Sequence, residues 1–351
     1  MMLRAPRNRL ARATWSAFVT LALAVPACGD DDSAADVPTD DGVDHAGDVV
    51  ADAADDAAPD VEPDGSGDVG FDTDDAGDST DVPGGCPRPG DPGPGTHTLS
   101  MEFDGLSRSY LLFVPSGYDS AASTPLVLNL HGYSSNGGQQ VYFSNMNETA
   151  EARGFVVAYP NGVENSWNGG LCCGEAAADD VDDVGFLSAL VDELARNLCI
   201  DRARVFAAGM SNGGYMSYRL ACEAPGVFAG FAPVAGGIGI PDCAPARPRP
   251  LLAFHGTEDS YVPYAFGEAS FHDYAAVAGC TGDPVRTAYG DSHCDVYESC
   301  DDGVRVGLCT LVGMDHCWPG GEPPRRLCET FVGAYSTDLN ANEVLWDFLD
   351  P

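Results

Sequence analysis

The strongest indication of the fold is the stretch Arg204-Val-Phe-Ala-Ala-Gly-Met-Ser-Asn-Gly-Gly-Tyr215. Its first residues form an apolar run with β-branched and aromatic side chains, which predicts a buried strand, and the residues after it favour a helix. Between them, Gly209-Met-Ser-Asn-Gly213 has the G-x-S-x-G pattern of a nucleophile elbow, a serine on a sharp strand-to-helix turn. Chance matches occur in glycine-rich chains, but the position between a strand and a helix favours function. Ser211 is therefore the predicted nucleophile.

Short apolar runs alternate with helix-like segments through the rest of residues 96–351. Strands are predicted at residues 110–114, 126–130, 155–159, 205–208, 228–234, 251–254 and 306–312, and helices at residues 138–153, 181–198, 213–222, 265–278 and 340–349. Strands that are apolar throughout are typical of parallel sheets buried on both faces. The alternation therefore predicts an α/β domain, with a mostly parallel, doubly wound sheet and flanking helices.

A serine hydroxyl becomes a good nucleophile when a positioned base takes its proton, and that base is usually a histidine held by a carboxylate. In α/β-hydrolases the chain order is serine, acid, histidine. Asp259 follows the predicted strand 251–254, and His316 follows the predicted strand 306–312. These positions predict Asp259 as the acid and His316 as the base.

Other histidines and carboxylates remain alternatives at this stage. The competing residues are His255, His272 and His293 as bases, and Glu258 and Asp315 as acids. The second and third histidines are predicted to lie on the surface. His255 is at a strand end directly before the Asp259 loop, so we expect it to orient that loop.

The oxyanion that forms during attack on an ester needs two backbone N–H donors already in place. One should come from Asn212, the residue after the nucleophile. The second should come from Tyr133, on the loop that follows strand 126–130, where Gly132 lets the chain turn back towards the site. An ordinary turn at a strand end is the alternative interpretation of that His-Gly pair.

Further motifs occur in order between residues 106 and 321: Leu130-His-Gly132, Tyr159-Pro-Asn-Gly162, Trp167-Asn168, Cys172-Cys173-Gly174, Val181-Asp-Asp-Val-Gly-Phe186, Ala232-Pro-Val-Ala-Gly236, His255-Gly-Thr-x-Asp259-x-x-Val-Pro-Tyr264 and His316-x-Trp-Pro-Gly320. With the elbow, this set resembles the secreted polyhydroxybutyrate depolymerase-like and feruloyl esterase-like enzymes, which are related to carbohydrate esterases. The resemblance implies an α/β-hydrolase fold and a Ser211, Asp259, His316 triad. The sequence departs from this family at one position: Asp315 stands where the family commonly has glycine. A carboxylate there could compete with Asp259 as the partner of His316.

The chain contains 13 cysteines, and setting Cys28 aside leaves an even number, as in an oxidising compartment. Closeness in sequence suggests the pairs Cys222–Cys243, Cys280–Cys300, Cys294–Cys309 and Cys317–Cys328. We therefore expect no free thiol among the remaining twelve. If any cysteines are exceptions, they should be Cys172 and Cys173, because adjacent residues bridge only with strain. No cysteine pair has zinc-ligand spacing, and neither a metal nor a cofactor is expected.

The N-terminal part of the chain predicts export. Residues 1–27 have arginines followed by an apolar run too short for a membrane span, as in a signal peptide. Val25-Pro-Ala-Cys28 resembles a bacterial lipobox, so Cys28 is a predicted lipidation site, with plain secretion as the alternative. Residues 28–95 are rich in aspartate and predict a disordered linker. A single domain is predicted for residues 96–351.

The net charge of −37 includes 17 basic residues, all of them arginine. Such an acidic chain argues against nucleic acid as a partner. A membrane contact is expected only through the lipid anchor. The expected location is the cell envelope of a bacterium or the space outside the cell.

The leading hypothesis is a secreted or lipid-anchored serine esterase that forms an acyl-enzyme on feruloyl or acetyl esters of plant polysaccharide. The alternatives are a polyhydroxybutyrate depolymerase or short-chain esterase, a peptidase on the same fold, and a binding module without activity. Trp318, Trp167 and Tyr215 are expected to bind the substrate, unless these rings only pack loops against the sheet.

Overall fold

A ten-stranded sheet runs through residues 85–350, the part of the chain that the computed structural model describes. The strands are β1 (Gly95–Phe103), β2 (Leu106–Val114), β3 (Thr124–Leu130), β4 (Val156–Pro160), β5 (Ile200–Met210), β6 (Gly230–Val234), β7 (Leu251–Gly256), β8 (Val285–Tyr289), β9 (Ser292–Tyr297) and β10 (Val306–Leu311). The helices are α1 (Gly137–Ser144), α2 (Met146–Arg153), α3 (Glu175–Ala178), α4 (Asp183–Asn197), α5 (Asn212–Glu223), α6 (Tyr264–Val277), α7 (Pro324–Phe331) and α8 (Ala341–Leu349).

The strand order is β1-β2-β4-β3-β5-β6-β7-β10-β9-β8. The six central strands, from β4 to β10, pair in parallel, whereas the outer strands pair antiparallel. Because β3, β5, β7 and β10 point the same way, the loops after them emerge at one edge of the sheet. The predicted α/β class, with its mostly parallel sheet, is confirmed.

Helices cover both faces of this sheet, and successive residues of β3 show how. Leu126, Leu128 and Leu130 pack with α4, α5 and α6, while Val127 packs on the opposite face with α2 and α8. All seven residues of β3 are buried. A strand covered on both sides has no polar face, which is why it reads as a continuous apolar run in the sequence.

Each of the seven predicted strands overlaps a strand of the structure, but the predicted helix 138–153 is divided. Asn145 has a φ of 50° in the left-handed region and separates α1 from α2. The sequence analysis did not predict β1, β8 and β9. These strands lie at the antiparallel margins of the sheet, and β8 is almost wholly exposed, so they lack an apolar run.

Twelve cysteines between residues 85 and 350 form six disulfides. The four pairs suggested by closeness in sequence are confirmed. The expected pairing of all twelve is confirmed, and it includes the adjacent Cys172 and Cys173, which are bonded to each other. Cys86 is bonded to Cys199, a pair that the sequence analysis did not anticipate.

Residues 85–94, assigned to the linker by sequence, are attached to the domain. Besides the Cys86–Cys199 disulfide, the Tyr118 hydroxyl donates to Asp91 at 2.9 Å. The boundary at residue 96 stays a prediction. The signal peptide, Cys28 and the linker up to residue 84 lie outside the described residues. Within residues 85–350 no helix is long and apolar enough to cross a membrane.

Candidate active site

Ser211 lies at the turn between β5 and α5, with φ 56° and ψ −120°. A non-glycine residue in this region of backbone space is strained and persists only when its surroundings hold it. The turn is that tight because a Cβ on Gly209 would lie 2.4 Å from the carbonyl oxygen of Gly213. A Cβ on Gly213 would in turn lie 2.3 Å from the Leu130 oxygen. The two glycines of the motif are therefore required by β3 and α5, and the turn presents Ser211 at the carboxyl edge of the sheet.

His316 and Asp259 lie at the same edge and are hydrogen-bonded to each other. The imidazole Nδ1 is 2.8 Å from Asp259 Oδ2 and 3.0 Å from Oδ1. Both side chains are buried. Since Nδ1 faces the carboxylate, Nε2 is the nitrogen that remains for a proton transfer.

The Asp259 carboxylate is held by more than this histidine. Its Oδ1 accepts the backbone N–H groups of Tyr261 and Val262 at 3.0 and 2.7 Å, and His255 Nε2 lies 3.3 Å from Oδ2. Burial raises the pKa of Asp259, but hydrogen bonds from His255 and His316 outweigh it and leave the pKa well below its usual range. Asp259 is thus an anion at neutral pH and stabilises a positive charge on His316.

The competing acid Asp315 points elsewhere. Its Oδ1 accepts the backbone N–H and the hydroxyl of Ser260, each at 2.9 Å, and the backbone N–H of His316 at 2.7 Å. Asp315 therefore holds the backbone at Ser260 and at His316. The imidazole of His316 is hydrogen-bonded to Asp259. His255 packs under the Asp259 loop, with Nε2 at 2.8 Å from the Val262 oxygen, as the sequence analysis expected.

The loop after β3 lies directly against the nucleophile. A Cβ on Gly132 would be 3.3 Å from Ser211 Cβ and 3.9 Å from its Oγ. Within residues 85–350, the backbone N–H groups of Tyr133 and Asn212 donate to no protein acceptor. Two unused donors beside a serine match the requirement for an oxyanion site. No hydrogen bond joins Ser211 Oγ to His316 in the described chain, and such contacts commonly tighten only when substrate binds.

The Asn212 side chain, which sequence reasoning did not consider, ties the start of α5 to the loop after β4. Its Oδ1 accepts the Trp167 N–H at 2.7 Å, and its Nδ2 donates to the Trp167 oxygen at 3.0 Å and to the Cys172 oxygen at 3.4 Å. The bonded Cys172–Cys173 pair thus lies beside the elbow. These side-chain hydrogen bonds hold Asn212, one of the two residues expected to supply an oxyanion N–H.

The expectation that Trp167 and Trp318 bind the substrate needs correction, because both rings are buried. Trp167 donates its indole N–H to the His131 oxygen at 3.0 Å, and Trp318 donates its own to Asn342 at 2.9 Å. Each belongs to a core cluster on one face of the sheet. Tyr215 is also largely buried, with its ring stacked on Phe266 at 5.8 Å.

Exposed apolar side chains lie instead on the loops that carry Gly132, Cys172 and Asp259. Tyr133 follows Gly132, and Leu171 precedes Cys172. Tyr261 follows Asp259 by two residues, is 65% exposed and has its ring centroid 5.1 Å from that of His316. Sequence reasoning missed Tyr261 because it occupies a variable position of the His255-Gly-Thr-x-Asp259-x-x motif.

The parallel sheet, the serine elbow and a histidine–aspartate pair on later strand ends define an α/β-hydrolase. Residues 108–242 match the family described as Esterase PHB depolymerase. Over 276 residues the chain is 31% identical to "Putative esterase NocK" of Nocardia uniformis, covering 70% of this chain and 80% of that protein. The chain therefore belongs to this family of carboxylic ester hydrolases.

Two further relatives are feruloyl esterases by name. Feruloyl esterase B of Piromyces equi is 34% identical over 239 residues, which is 61% of this chain but only 44% of that protein. Feruloyl esterase C of Emericella nidulans is 29% identical over 233 residues, 60% of this chain and 82% of that protein. Among solved structures, an acetyl xylan esterase from Aspergillus awamori superposes with a TM-score of 0.53 at 15% identity, covering 68% of this chain and all of that one (100%), and thus shares the fold.

Proposed function

We propose that this protein is a serine esterase in which Ser211 attacks the ester carbonyl. His316 takes the hydroxyl proton at Nε2, and Asp259 holds the imidazole and stabilises its positive charge. The observation that carries the proposal is the Asp259–His316 hydrogen bond at the sheet edge where the strained Ser211 turn also lies. The N–H groups of Tyr133 and Asn212 would stabilise the oxyanion.

The reaction then proceeds in two halves. The tetrahedral intermediate collapses as His316 gives its proton to the leaving alkoxide, which departs as the alcohol and leaves an acyl group on Ser211. A water molecule, deprotonated by the same histidine, attacks this acyl-enzyme and releases the carboxylic acid. Asp259 stays ionised throughout, because its pKa is held low.

For the substrate we propose feruloyl or acetyl esters of plant polysaccharide. Two relatives are named feruloyl esterases, and the loops that carry the proposed site residues also carry the exposed apolar side chains of Tyr133, Leu171 and Tyr261. A polyhydroxybutyrate or other short-chain ester is the second candidate, since the family description itself includes that polymer. A binding module without activity is disfavoured because it would have no physical need for the Asp259–His316 pair.

We propose further that the enzyme works outside the cytoplasm. Six disulfides within residues 85–350 favour an oxidising compartment. The predicted signal peptide and the lipobox-like Cys28 fit export, with or without a lipid anchor. Palmitate labelling that is lost in Cys28→Ser would support the anchor, and an unlabelled protein released into the medium would support plain secretion.

The test is hydrolysis of feruloyl, acetyl and 3-hydroxybutyryl esters by the purified protein, with Ser211→Ala and a fluorophosphonate probe. We expect Ser211→Ala to lower kcat by roughly 10⁴-fold or more without unfolding, because nothing else can accept the acyl group. The probe should label Ser211. Ser188→Ala, on α4, is the matched control and should keep activity. Retained hydrolysis in Ser211→Ala, or labelling of a different serine, would remove Ser211 from the mechanism.

A further inference from the structure

The side chain of Tyr261 is large, apolar and exposed, yet it lies against a buried histidine. The residue is 65% exposed, and its ring lies 5.1 Å from the His316 ring, centroid to centroid, at an interplanar angle of 40°. No step of the proposed reaction uses this side chain. Its placement beside the general base is therefore the feature to explain.

The direction of proton transfer determines what lies near Tyr261 during catalysis. His316 must protonate the oxygen of the departing alcohol, so that oxygen lies at hydrogen-bond distance from the imidazole. The alcohol part of the ester then extends past His316. The acyl part stays bonded to Ser211 when the alcohol leaves. A ring that contacts the His316 ring is consequently a neighbour of the alcohol.

The loop that carries Tyr261 is fixed before substrate arrives. Tyr261 N–H donates to Asp259 Oδ1 at 3.0 Å, and the Ser260 N–H and hydroxyl both donate to Asp315 at 2.9 Å. Little conformational entropy is lost when a group held in this way binds a ligand. Asp315, the departure from the family's usual glycine, thereby gains a role: it anchors the residue before Tyr261.

We infer that Tyr261 binds the sugar ring of the leaving alcohol and so makes the enzyme selective for esters of carbohydrates. This inference rests on the proposed function. A tyrosine offers an apolar face that packs against the C–H groups of a sugar and a hydroxyl that can pair with the sugar's own hydroxyls. A methyl ester offers nothing large enough to cover the ring. The acidic surface of the chain also favours a neutral alcohol over an anionic one.

Two esters with the same acyl group separate this contact from every other. The pair is the methyl ester and the arabinose ester of whichever acyl group the wild type hydrolyses fastest. Both give the same acyl-enzyme, so a difference between their kcat/KM values reports the alcohol side of acylation only. For Tyr261→Ala we expect kcat/KM to fall roughly three- to tenfold on the arabinose ester and less than about twofold on the methyl ester. Tyr261→Phe should keep most of the preference.

Tyr142→Ala is the matched control, because Tyr142 is a second tyrosine that is 65% exposed and lies on α1. It should leave both esters unaffected. Equal losses on the two esters in Tyr261→Ala would mean that the ring only positions His316, and no loss on either would mean that it contacts nothing. Both results overturn the inference while esterase activity persists. Wild-type protein that hydrolyses neither ester, or active Ser211→Ala, would overturn the proposed function instead.

Discussion

His131 links the loop after β3, which carries the proposed oxyanion donor Tyr133, to the loop after β4. Its Nδ1 lies 2.7 Å from the Gly132 oxygen, and its Nε2 accepts the backbone N–H of Gly162 at 3.0 Å. This pattern fits a neutral imidazole with its hydrogen on Nδ1. Burial lowers the pKa of His131 to about 4, because a charge there would be poorly solvated. A proton on Nε2 would also remove the acceptor for Gly162.

Acid should therefore destabilise the fold through His131. Below about pH 6.5 the unfolded chain binds a proton at this histidine that the folded chain refuses until about pH 4, so stability falls as pH falls through that window. Between pH 7 and 4.5 the loss should be about 2–3 kcal/mol. Urea unfolding at both pH values, in wild type and His131→Gln, measures it. Between the two pH values the free energy of unfolding should fall less in His131→Gln than in the wild type, by the amount that His131 contributes. Equal falls in both proteins would contradict the prediction.

At the residue scale the sequence predicted which chemical groups matter better than where they point. Ser211 followed from its motif, since a strained turn has few sequence solutions. Asp259 was predicted from its place after a strand, but Asp315 stayed a rival because its hydrogen bonds to Ser260 and to the His316 N–H follow only from the folded loops. Trp318 was expected near the substrate from its closeness to His316 in sequence. Its ring points into the core instead, and no pattern in the sequence reports that direction.

At the scale of elements, a buried ion pair joins β2, α4 and the loop that carries Trp167. Arg108 Nη2 donates to Asp183 Oδ1 at 2.7 Å, and the other carboxylate oxygen accepts the Asn168 N–H at 2.8 Å. The guanidinium also lies 3.8 Å from the centre of the Phe186 ring. Burial raises the pKa of Asp183, and Arg108 opposes this shift. The same loop, which carries Trp167 and Asn168, is also hydrogen-bonded to the Asn212 side chain at the start of α5.

Removing one partner of this pair should cost much more than breaking a surface pair. Asp183→Ala leaves the Arg108 guanidinium buried without a counter-charge, and we expect the free energy of unfolding to fall by about 3–5 kcal/mol. Glu329→Ala breaks the exposed Arg325–Glu329 pair and should cost less than about 1 kcal/mol. Urea denaturation of the two variants makes the comparison. Similar losses would show that the buried pair does not anchor the loop.

Elements with strong apolar periodicity were predicted, and marginal ones were not. The strands β3, β4, β6 and β7 are buried throughout, and β5 is buried from Val205 to Gly209, so apolar composition alone identifies them. By contrast, β8 and β9 pair at the edge of the sheet and need β10 as a template. Their strand conformation depends on long-range pairing, which local sequence does not report.

At the scale of the whole molecule, disulfides divide into local and distant ones. The four pairs predicted by closeness have sequence separations of 11 to 21 residues. Each closes a short stretch of chain; Cys222–Cys243 encloses β6, and Cys280–Cys300 encloses the β8–β9 hairpin. The Cys86–Cys199 pair spans 113 residues and exists only because the fold returns the start of β5 to the residues before β1. Such a pair requires the tertiary structure to be known first.

This distant disulfide should stabilise the domain without affecting its chemistry. In the chain-entropy model a loop of 113 residues corresponds to about 4–5 kcal/mol. Cys199 precedes β5 and Ser211 follows it, so 11 strand residues, roughly 35 Å of extended chain, separate the crosslink from the nucleophile. Cys86→Ser with Cys199→Ser should therefore lower the Tm by roughly 10 °C while leaving kcat unchanged at temperatures where the variant is folded.

The matching comparison is between fragments 86–351 and 96–351. The shorter one keeps every proposed catalytic residue but leaves Cys199 without a partner, so it should react with one equivalent of a thiol reagent and unfold at the lower temperature. Adding Cys199→Ser to it should remove the thiol and leave the Tm low, because the lost crosslink is the cause of the change. If fragments with and without Cys86 melted together, residue 96 would be a sufficient start for the domain and the crosslink would contribute nothing. We expect no effect on kcat, because β5 is buried over most of its length and paired in parallel on both sides, which holds it in place. If kcat fell along with the Tm, a change at the Cys199 end of β5 would have to reach the turn at Ser211.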